Sequence, residues 1–534
     1  MTLGTGDKEF RHAGVSYLDY KQVEMDRVLS AFLARLRHDG WPARLARTGE
    51  LTLEDYTDFF MESPQLFAGF DQNREVTYRW VETNLADLVG RGRATQSVAG
   101  LRPLHGLTYQ FRNARKARPY GTDEHLYEMI AQAGAGHGVL KQLKDFFFAG
   151  IDLRTLRITP GPDVDVETQA LINLSESKRN EVADSADKRL PRVSHQPLHA
   201  PWSDLLVEDI RRMMFYRTLM PRSVFVEYLK VLFAFHLALY HLRATKLLPT
   251  MVRQPGATGP VQQSYGFFLD VAGVPGTDSA RLAERSADSW YARIPEFVRA
   301  TFTVRKLEDF AADLAAKHKH GVKRGATPFS VPFLIGLLGP KYRADRVAYG
   351  NFRLSAVIAA AQSAQDETVQ RILALGLDEF SAFVEIVTAE RVDFHRRYLT
   401  DCLDSLLLKN RPGAMITQPR GGRRRFVLDG RLLEVLLQIA LLRPGGARGY
   451  HTAALRIDEF LEAIRERYGL YVDRIPPGDG FGVPSITDHA ALRANLTAFT
   501  TRLREIGFYT DLSDAYLAQT ITPRYAVSAD GTTS

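Results

Sequence analysis

The sequence predicts a mainly α-helical, multi-domain protein that ends in a winged helix. Three observations predict this class. Apolar residues recur at helical spacing along most of the chain, one long segment is apolar almost all round, and three helical segments near the end precede two short strand-like segments. A chain of 534 residues is long enough for two to four domains.

The composition is that of a globular protein, with 45% hydrophobic and 25% charged residues. Disorder of the whole chain is excluded, because this much apolar material offsets the entropy that is lost on folding. The single cysteine, Cys402, excludes an intrachain disulfide and any cysteine-rich metal centre, and it fits a reducing compartment.

No targeting or membrane segment is visible in the sequence. Residues 1–10 contain no apolar stretch of the kind that a secretory signal needs. The longest apolar run, 231–242, is too short to span a bilayer. We therefore expect a soluble, cytoplasmic protein that does not bind membranes.

The first predicted domain, residues 1–182, is helical. Residues 17–37 predict an amphipathic helix, whose apolar face consists of Val28, Leu29, Phe32, Leu33 and Leu36. Further helices are predicted over 51–101, 121–148 and 163–177. Residues 184–201 are polar and contain three prolines, which is typical of a linker.

The second predicted domain, residues 202–409, is also helical. Two helices that meet at Pro221 fill residues 202–248, and the second is apolar almost all round, which indicates a helix buried in a larger domain. The segment YGFFLDV at 265–271 predicts a strand. Helices are predicted again over 279–316, 354–375 and 378–408.

The third predicted domain, residues 425–534, follows a segment rich in proline, glycine and arginine that marks a boundary. A short strand is predicted at 425–428. The predicted helices after it cover 432–442, 457–468 and 492–506, and the predicted strands cover 508–509 and 521–527 around a turn at 511–514. Three helices followed by a two-stranded wing is the order of a winged helix.

The common catalytic and nucleotide-binding motifs are absent from the sequence. The glycine-rich segment 133–138 lacks the Lys-Ser/Thr pair of a P-loop, so we expect no cofactor. His236 and His241 lie five residues apart, whereas metal ligands on one helix face are usually four apart, so we expect no metal site. The sequence therefore favours a protein that is not an enzyme.

Asp270 is the one weak candidate for a catalytic residue. It lies near the C-terminal end of the predicted strand at 265–271, where catalytic carboxylates are common. It also precedes Gly273 and Pro275, and aspartate before such residues commonly forms turns. A nuclease of the restriction-endonuclease type would need a Glu/Gln-x-Lys motif on a neighbouring strand, and no convincing one is present.

Basic residues carry more information than the candidate active sites. The net charge is +7, and basic stretches occur at 112–118, 317–324 and 420–425. The third stretch directly precedes the predicted winged helix, so we expect contacts with the phosphates of double-stranded DNA there and on the last predicted helix. The candidate residues are Arg423, Arg424, Arg425, Arg493 and Arg502. A solvated basic face or a subunit interface is the alternative.

Three segments resemble bacterial anti-phage defence proteins of the methylation-associated type. They are YLDYKQVEMDRVL at 17–29, IDEFLEAIRERYGLYVD at 457–473 and LREIGFYTDLSDAYLAQTITPRY at 503–525. The C-terminal part is also similar to a component of phosphorothioation-dependent restriction systems. The resemblance implies an accessory protein that works beside an ATPase and a helicase-like translocase in a system that tells modified self DNA from foreign DNA. It supplies no catalytic residue.

Together, the residues and the resemblance predict a non-catalytic, DNA-interacting or scaffolding subunit of a multi-gene defence system. Two alternatives stay open. One is a metal-dependent nuclease with Asp270 as a metal ligand, and the other is an adaptor whose winged helix binds a partner ATPase.

Overall fold

The computed structural model describes residues 3–44, 51–159, 164–177, 185–189, 192–256, 263–323, 325, 328–364, 366–509 and 520–533. The protein is mainly helical, with 56% helix and 8% strand, which confirms the predicted class at that level. The strands are short and pair only two at a time within the described residues, so packed helices form most of the core. The division into three domains stays a prediction.

The α-helices of the N-terminal part are α1 (Met25–Arg37), α2 (Leu53–Met61), α3 (Arg74–Trp80), α4 (Thr122–Ala131), α5 (Gly136–Phe147) and α6 (Val166–Ser177). The first helix is shorter than predicted. Residues 17–24 are not helical: Tyr17 and Tyr20 are buried and Tyr20 has a φ of +49°, so the helix begins only at Met25.

The prediction of helices throughout 51–101 is wrong at its C-terminal end. Two strands, β1 (Ala86–Val89) and β2 (Ser97–Leu101), form an antiparallel hairpin there. Gly90 and Gly92 have positive φ and lie in the turn, where this conformation lets the chain reverse between the two strands. A second small hairpin pairs β3 (Ile151–Asp152) with β4 (Arg157–Ile158).

The middle of the chain is helical, as predicted. Its helices are α7 (Ala200–Met214), α8 (Arg222–Arg253), α9 (Asp278–Tyr291), α10 (Ile294–Ala316), α11 (Val331–Gly336), α12 (Arg343–Ala364), α13 (Glu367–Leu373) and α14 (Glu379–Leu407). The predicted strand at 265–271 is present as β5 (Phe267–Phe268).

Helix α8 forms the centre of the core and packs against α1, α7, α10, α14 and α15 (Gly430–Ala440). It is the one helix among the described residues that is long and apolar enough to cross a membrane, but 78% of its most apolar window is buried inside the protein. Its two histidines are also buried: His236 lies 2.9 Å from Asp209, and His241 lies 2.9 Å from Ser16. This burial is typical of the core helix of a soluble protein.

The remaining C-terminal helices are α16 (Ile457–Tyr468) and α17 (Ile486–Glu505). The strands of this part are β6 (Ile416–Thr417), β7 (Arg425–Phe426), β8 (Leu442–Pro444), β9 (Tyr450–Thr452), β10 (Leu455–Arg456), β11 (Leu470–Tyr471) and β12 (Thr520–Ile521). Strands β6 and β7 form one hairpin and β8 and β9 another, while β12 pairs antiparallel with β10.

The predicted wing can be followed only in part. The amide of Thr522 donates to the carbonyl of Phe508 at 3.0 Å, which joins the two segments that were expected to pair. The predicted turn at 511–514 lies outside the described residues. Strand β12 also pairs with β10, a strand between α15 and α16 that the sequence analysis did not predict.

The segment around β5 joins the central and C-terminal parts of the chain. Phe267 and Phe268 pair in parallel with Leu470 and Tyr471 of β11, and the amide of Asp270 donates to the carbonyl of Phe426 at 3.0 Å. The C-terminal helices reinforce this junction, because α15 packs on α8 and α17 packs on α9.

Candidate nucleic-acid interface

The arginines at 423–425 enter the second strand of the β6–β7 hairpin, after a turn at Pro419–Gly422 in which Gly421 has a φ of +75°. Successive side chains of extended backbone point in different directions, so neighbours in sequence need not share a surface. The three arginines accordingly occupy three different environments.

Arg425 is buried and forms an ion pair with Asp270. Its Nε lies 3.3 Å from Asp270 Oδ2, with the Arg425 and Asp270 side chains only 3% and 0% exposed. The guanidinium also donates to the carbonyl of Gly273 at 2.9 Å, and the Ser279 hydroxyl donates to Asp270 Oδ1 at 3.0 Å. Burial raises the pKa of Asp270 above its usual range, and the Ser279 hydrogen bond and the Arg425 charge partly offset this effect.

Arg424 forms a second ion pair. Its guanidinium makes two hydrogen bonds to Asp404 of α14, at 2.6 and 3.1 Å, and lies over the ring of Tyr291 at 4.2 Å from the ring centroid. The Tyr291 hydroxyl donates to the same carboxylate at 3.2 Å. Arg424 therefore fastens the hairpin to α14 and α9.

The other three candidates lie closer to solvent. The Arg423 side chain is 75% exposed, and its nearest carboxylate oxygen, on the exposed Asp288, is 3.9 Å away. Arg493 on α17 is exposed, whereas Arg502 is partly exposed and lies 3.0 Å from Glu505 on the same helix. Arg423 and Arg493 are therefore the candidates whose charges are most accessible to a ligand.

The two other basic stretches differ in how their charges are used. In the stretch at 317–324, Lys317 bonds Asp313 at 2.8 Å, and Lys319 and His320 both contact Asp345. In the stretch at 112–118, Arg115 and Arg118 are exposed. The positive charges at 317–324 are therefore largely neutralised by nearby carboxylates.

Sequence analysis missed a cleft of about 740 Å³ between α5, α7 and the β8–β9 hairpin. Three arginines line it: Arg211, Arg217 and Arg448. The sequence does not indicate this group, because the three arginines come from distant segments and form no basic run. The one signal in the sequence is the pair of adjacent glycines, Gly445 and Gly446, which suits the tip of a hairpin.

These features define a class: a mainly helical protein with exposed arginines on the β6–β7 hairpin and on α17, in which no three His, Cys, Asp or Glu among the described residues group so as to hold a metal ion. Residues 5–525 match the family described as methylation-associated defense system protein MAD7, so the chain belongs to this family. A comparison with curated proteins finds no match. Family membership confirms the resemblance carried by the three sequence segments, and it suggests that other proteins of the same defence system are partners.

Proposed function

We propose that this protein is a non-catalytic, DNA-interacting subunit of a multi-gene anti-phage defence system, acting in the cytoplasm. The observation that carries the proposal is the connectivity of the C-terminal part. Helix α15, strand β10, helices α16 and α17 and strand β12 occur in this order, with the β8–β9 hairpin before β10 and β11 before α17, and β12 pairs antiparallel with β10. The Thr522–Phe508 hydrogen bond joins the residue after β12 to the segment that follows α17. This order supports a winged helix at 425–534.

In a winged helix, the third helix is the one that enters the DNA groove. Here that helix is α17, whose buried side carries Leu492, Asn495, Phe499 and Leu503. Its exposed residues include the small side chains Ala490, Ala494, Thr497 and Thr501, beside which a groove wall can approach closely, and the longer Arg493. Arg493 supplies a charge for phosphate contact on this face, and Arg423 supplies another on the β6–β7 hairpin.

The geometry around Asp270 favours a structural role over a nuclease role. One carboxylate oxygen accepts the Ser279 hydrogen bond, and the other faces the Arg425 guanidinium. A metal ligand needs a carboxylate that is free to face the ion and the substrate. We therefore assign the defence function to binding and not to cleavage by this residue.

A second function, protein adaptor, is favoured by one specific observation. Val483 and Ile486, which flank the N-cap Ser485 of α17, are 96% and 89% exposed. Two neighbouring apolar side chains with this exposure indicate a binding surface, because a partner protein that buries them removes apolar area from water, which is favourable. The resemblance implies that the partner is the ATPase of the same system.

The test is fluorescence anisotropy of the full-length protein with a labelled DNA duplex across a salt series. The pair of substitutions Arg423→Glu and Arg493→Glu should weaken binding and make the salt dependence shallower by about two, since each lost phosphate contact reduces the slope by about one. The control pair, Arg371→Glu and Arg396→Glu, makes the same charge change at exposed arginines of α13 and α14.

The outcomes separate the two functions. An equal loss of duplex affinity in both variants would assign the effect to net charge alone. Absence of duplex binding by the wild type at low salt would reject the DNA role. The adaptor role predicts instead that Val483→Ser with Ile486→Ser abolishes co-purification with the ATPase encoded beside this protein.

A further inference from the structure

The cleft described above has a defined construction, and we call it the arginine cleft. Its residues are Gln142, Arg211, Met214, Phe215, Arg217, Thr218, Pro444, Arg448, Gly449 and Tyr450. One wall is the C-terminal end of α7 with the turn that follows it, and the other is the tip of the β8–β9 hairpin.

Hydrogen bonds fix the two walls relative to one another. The Arg212 guanidinium of α7 donates to the carbonyls of Ile439 and Leu442, at 3.2 and 3.3 Å, where α15 ends and the hairpin begins. The Tyr216 hydroxyl donates to the carbonyl of Gln438 at 2.8 Å. The arginine cleft is therefore part of the packed structure, and a ligand would meet walls that are already positioned.

The hairpin tip that carries Arg448 is also held in place. Gly445, Gly446 and Gly449 all have positive φ, a conformation that suits glycine, and the amide of Gly445 donates to the carbonyl of Gly449 at 2.9 Å. The amide of Ala447 donates to the carbonyl of Ala529 at 2.9 Å, which ties the tip to the C-terminal segment.

The charge of the arginine cleft is one-sided. Its lining contains three arginines and no aspartate or glutamate. Arg217 and Arg448 are exposed, and neither forms an ion pair with any carboxylate of the described ranges. Glu208 lies 3.4 Å from Arg211 and 2.8 Å from Arg212, so this carboxylate is shared between the two arginines. One carboxylate between two arginines leaves the cleft positive.

We infer that the arginine cleft binds the phosphodiester backbone of duplex DNA, as a second contact surface in addition to the exposed face of α17. This inference rests on the proposed function and deepens it. Guanidinium groups match phosphate oxygens in geometry and keep their charge at all physiological pH values. The β8–β9 hairpin connects α15 to β10. A phosphate bound at Arg448 would therefore contact a segment that lies within the proposed winged helix.

The experiment uses full-length protein, a labelled duplex and, separately, one labelled strand of that duplex. Arg217→Glu with Arg448→Glu should lower duplex affinity about tenfold or more and make the salt dependence shallower by about two. The neutral pair Arg217→Gln and Arg448→Gln should act in the same direction by a smaller factor. Both positions are exposed, so thermal unfolding should stay at the wild-type temperature.

The control pair Arg371→Glu and Arg396→Glu carries the same charge change and should keep most of the affinity. Unchanged duplex affinity in the cleft variant, with affinity lost in the Arg423→Glu and Arg493→Glu variant, would overturn the cleft assignment and leave the proposed function standing. Absence of duplex binding by the wild type would overturn both. A loss confined to the single strand, or cleft-dependent binding of a labelled nucleoside triphosphate without duplex binding, would overturn the duplex assignment.

Discussion

Arg425 and Asp270 form a buried ion pair across the junction between the central and C-terminal parts of the chain, with Nε and Oδ2 3.3 Å apart. The sequence predicts different roles for the two residues: a phosphate contact for Arg425 and a catalytic carboxylate for Asp270. The structure brings them together as partners of one another, and this pairing has a measurable energetic consequence.

Removing one member of the pair should be costly, because it leaves the other charge buried and uncompensated. We expect Asp270→Ala to lower the free energy of unfolding by about 3–5 kcal/mol. The double variant with Asp270→Leu and Arg425→Met should be considerably more stable than Asp270→Ala alone, since it removes both charges. Urea denaturation of the wild type, of Asp270→Leu and Arg425→Met singly and of the double variant gives the coupling energy of the pair.

Arg423→Met serves as the control for this cycle, because the Arg423 side chain is 75% exposed and should change stability by no more than about 0.5 kcal/mol. An Asp270→Ala protein as stable as the wild type would show that the buried pair contributes nothing.

Asn495 of α17 should be equally sensitive for another reason. Its fully buried amide accepts from the Val271 amide at 2.8 Å and donates to the carbonyls of Leu269 and Val472, both at 2.9 Å. Asn495→Ala leaves three buried backbone groups without this partner, so we expect a loss of about 3 kcal/mol or more in urea denaturation.

Asn495→Asp should also destabilise, because a carboxylate keeps the bond to Val271 but faces two carbonyls to which it cannot donate. Thr497→Ala, an exposed change two residues along the same helix, is the matched control and should be close to neutral. Loss of stability in the Thr497 variant of the same size would assign the effect to the helix and not to the Asn495 bonds.

Stability should fall in mild acid because buried histidines resist protonation. Burial and, to a smaller degree, the nearby Arg391 and Lys21 lower the pKa of His395 to about 4. Between that value and the ordinary pKa of about 6.5, the unfolded chain binds a proton at this residue and the folded protein does not. Acidification from pH 7 to pH 5 therefore favours unfolding, by about 2 kcal/mol for this one residue.

The substitution His395→Phe tests this contribution. The His395 ring stacks on Phe10 with centroids 4.0 Å apart, and its Nε2 has no hydrogen-bond partner among the residues that the structure describes, so a phenylalanine ring fits the site chemically. Denaturation at pH 7 and pH 5 should show a smaller difference in the variant than in the wild type. His137→Gln, at an exposed position, should leave the difference unchanged; an equal reduction in both variants would contradict the role of burial.

Helix α8 illustrates what can be predicted from the sequence. Its apolar residues cover all sides of the helix, and a helix of that kind has to be buried whatever surrounds it. Residues 17–24 illustrate the opposite case. Their apolar spacing continues that of α1, but this segment is not helical, and Tyr17 and Tyr20 make buried contacts with the distant histidines His125, His195 and His241. Contacts between distant segments override local periodicity here.

The candidate site was predictable only as a set of residue types. Three consecutive arginines suggest one basic patch. Two of them instead form ion pairs with aspartates from other parts of the chain, Arg424 with Asp404 and Arg425 with Asp270. The arginine cleft shows the reverse, since its charges come together only after α7 and the β8–β9 hairpin have packed.

The pairing of β5 also sets an order of events during synthesis. Phe267 and Phe268 leave the ribosome long before Phe426 and Leu470, the residues that cover and pair with this segment in the finished protein. At about 5–20 residues per second, the two phenylalanines wait on the order of ten seconds or more for their partners. During that interval the backbone of β5 has no strand to pair with and Phe267 lacks its contact with Phe426, so this junction can form only after most of the C-terminal part has been made.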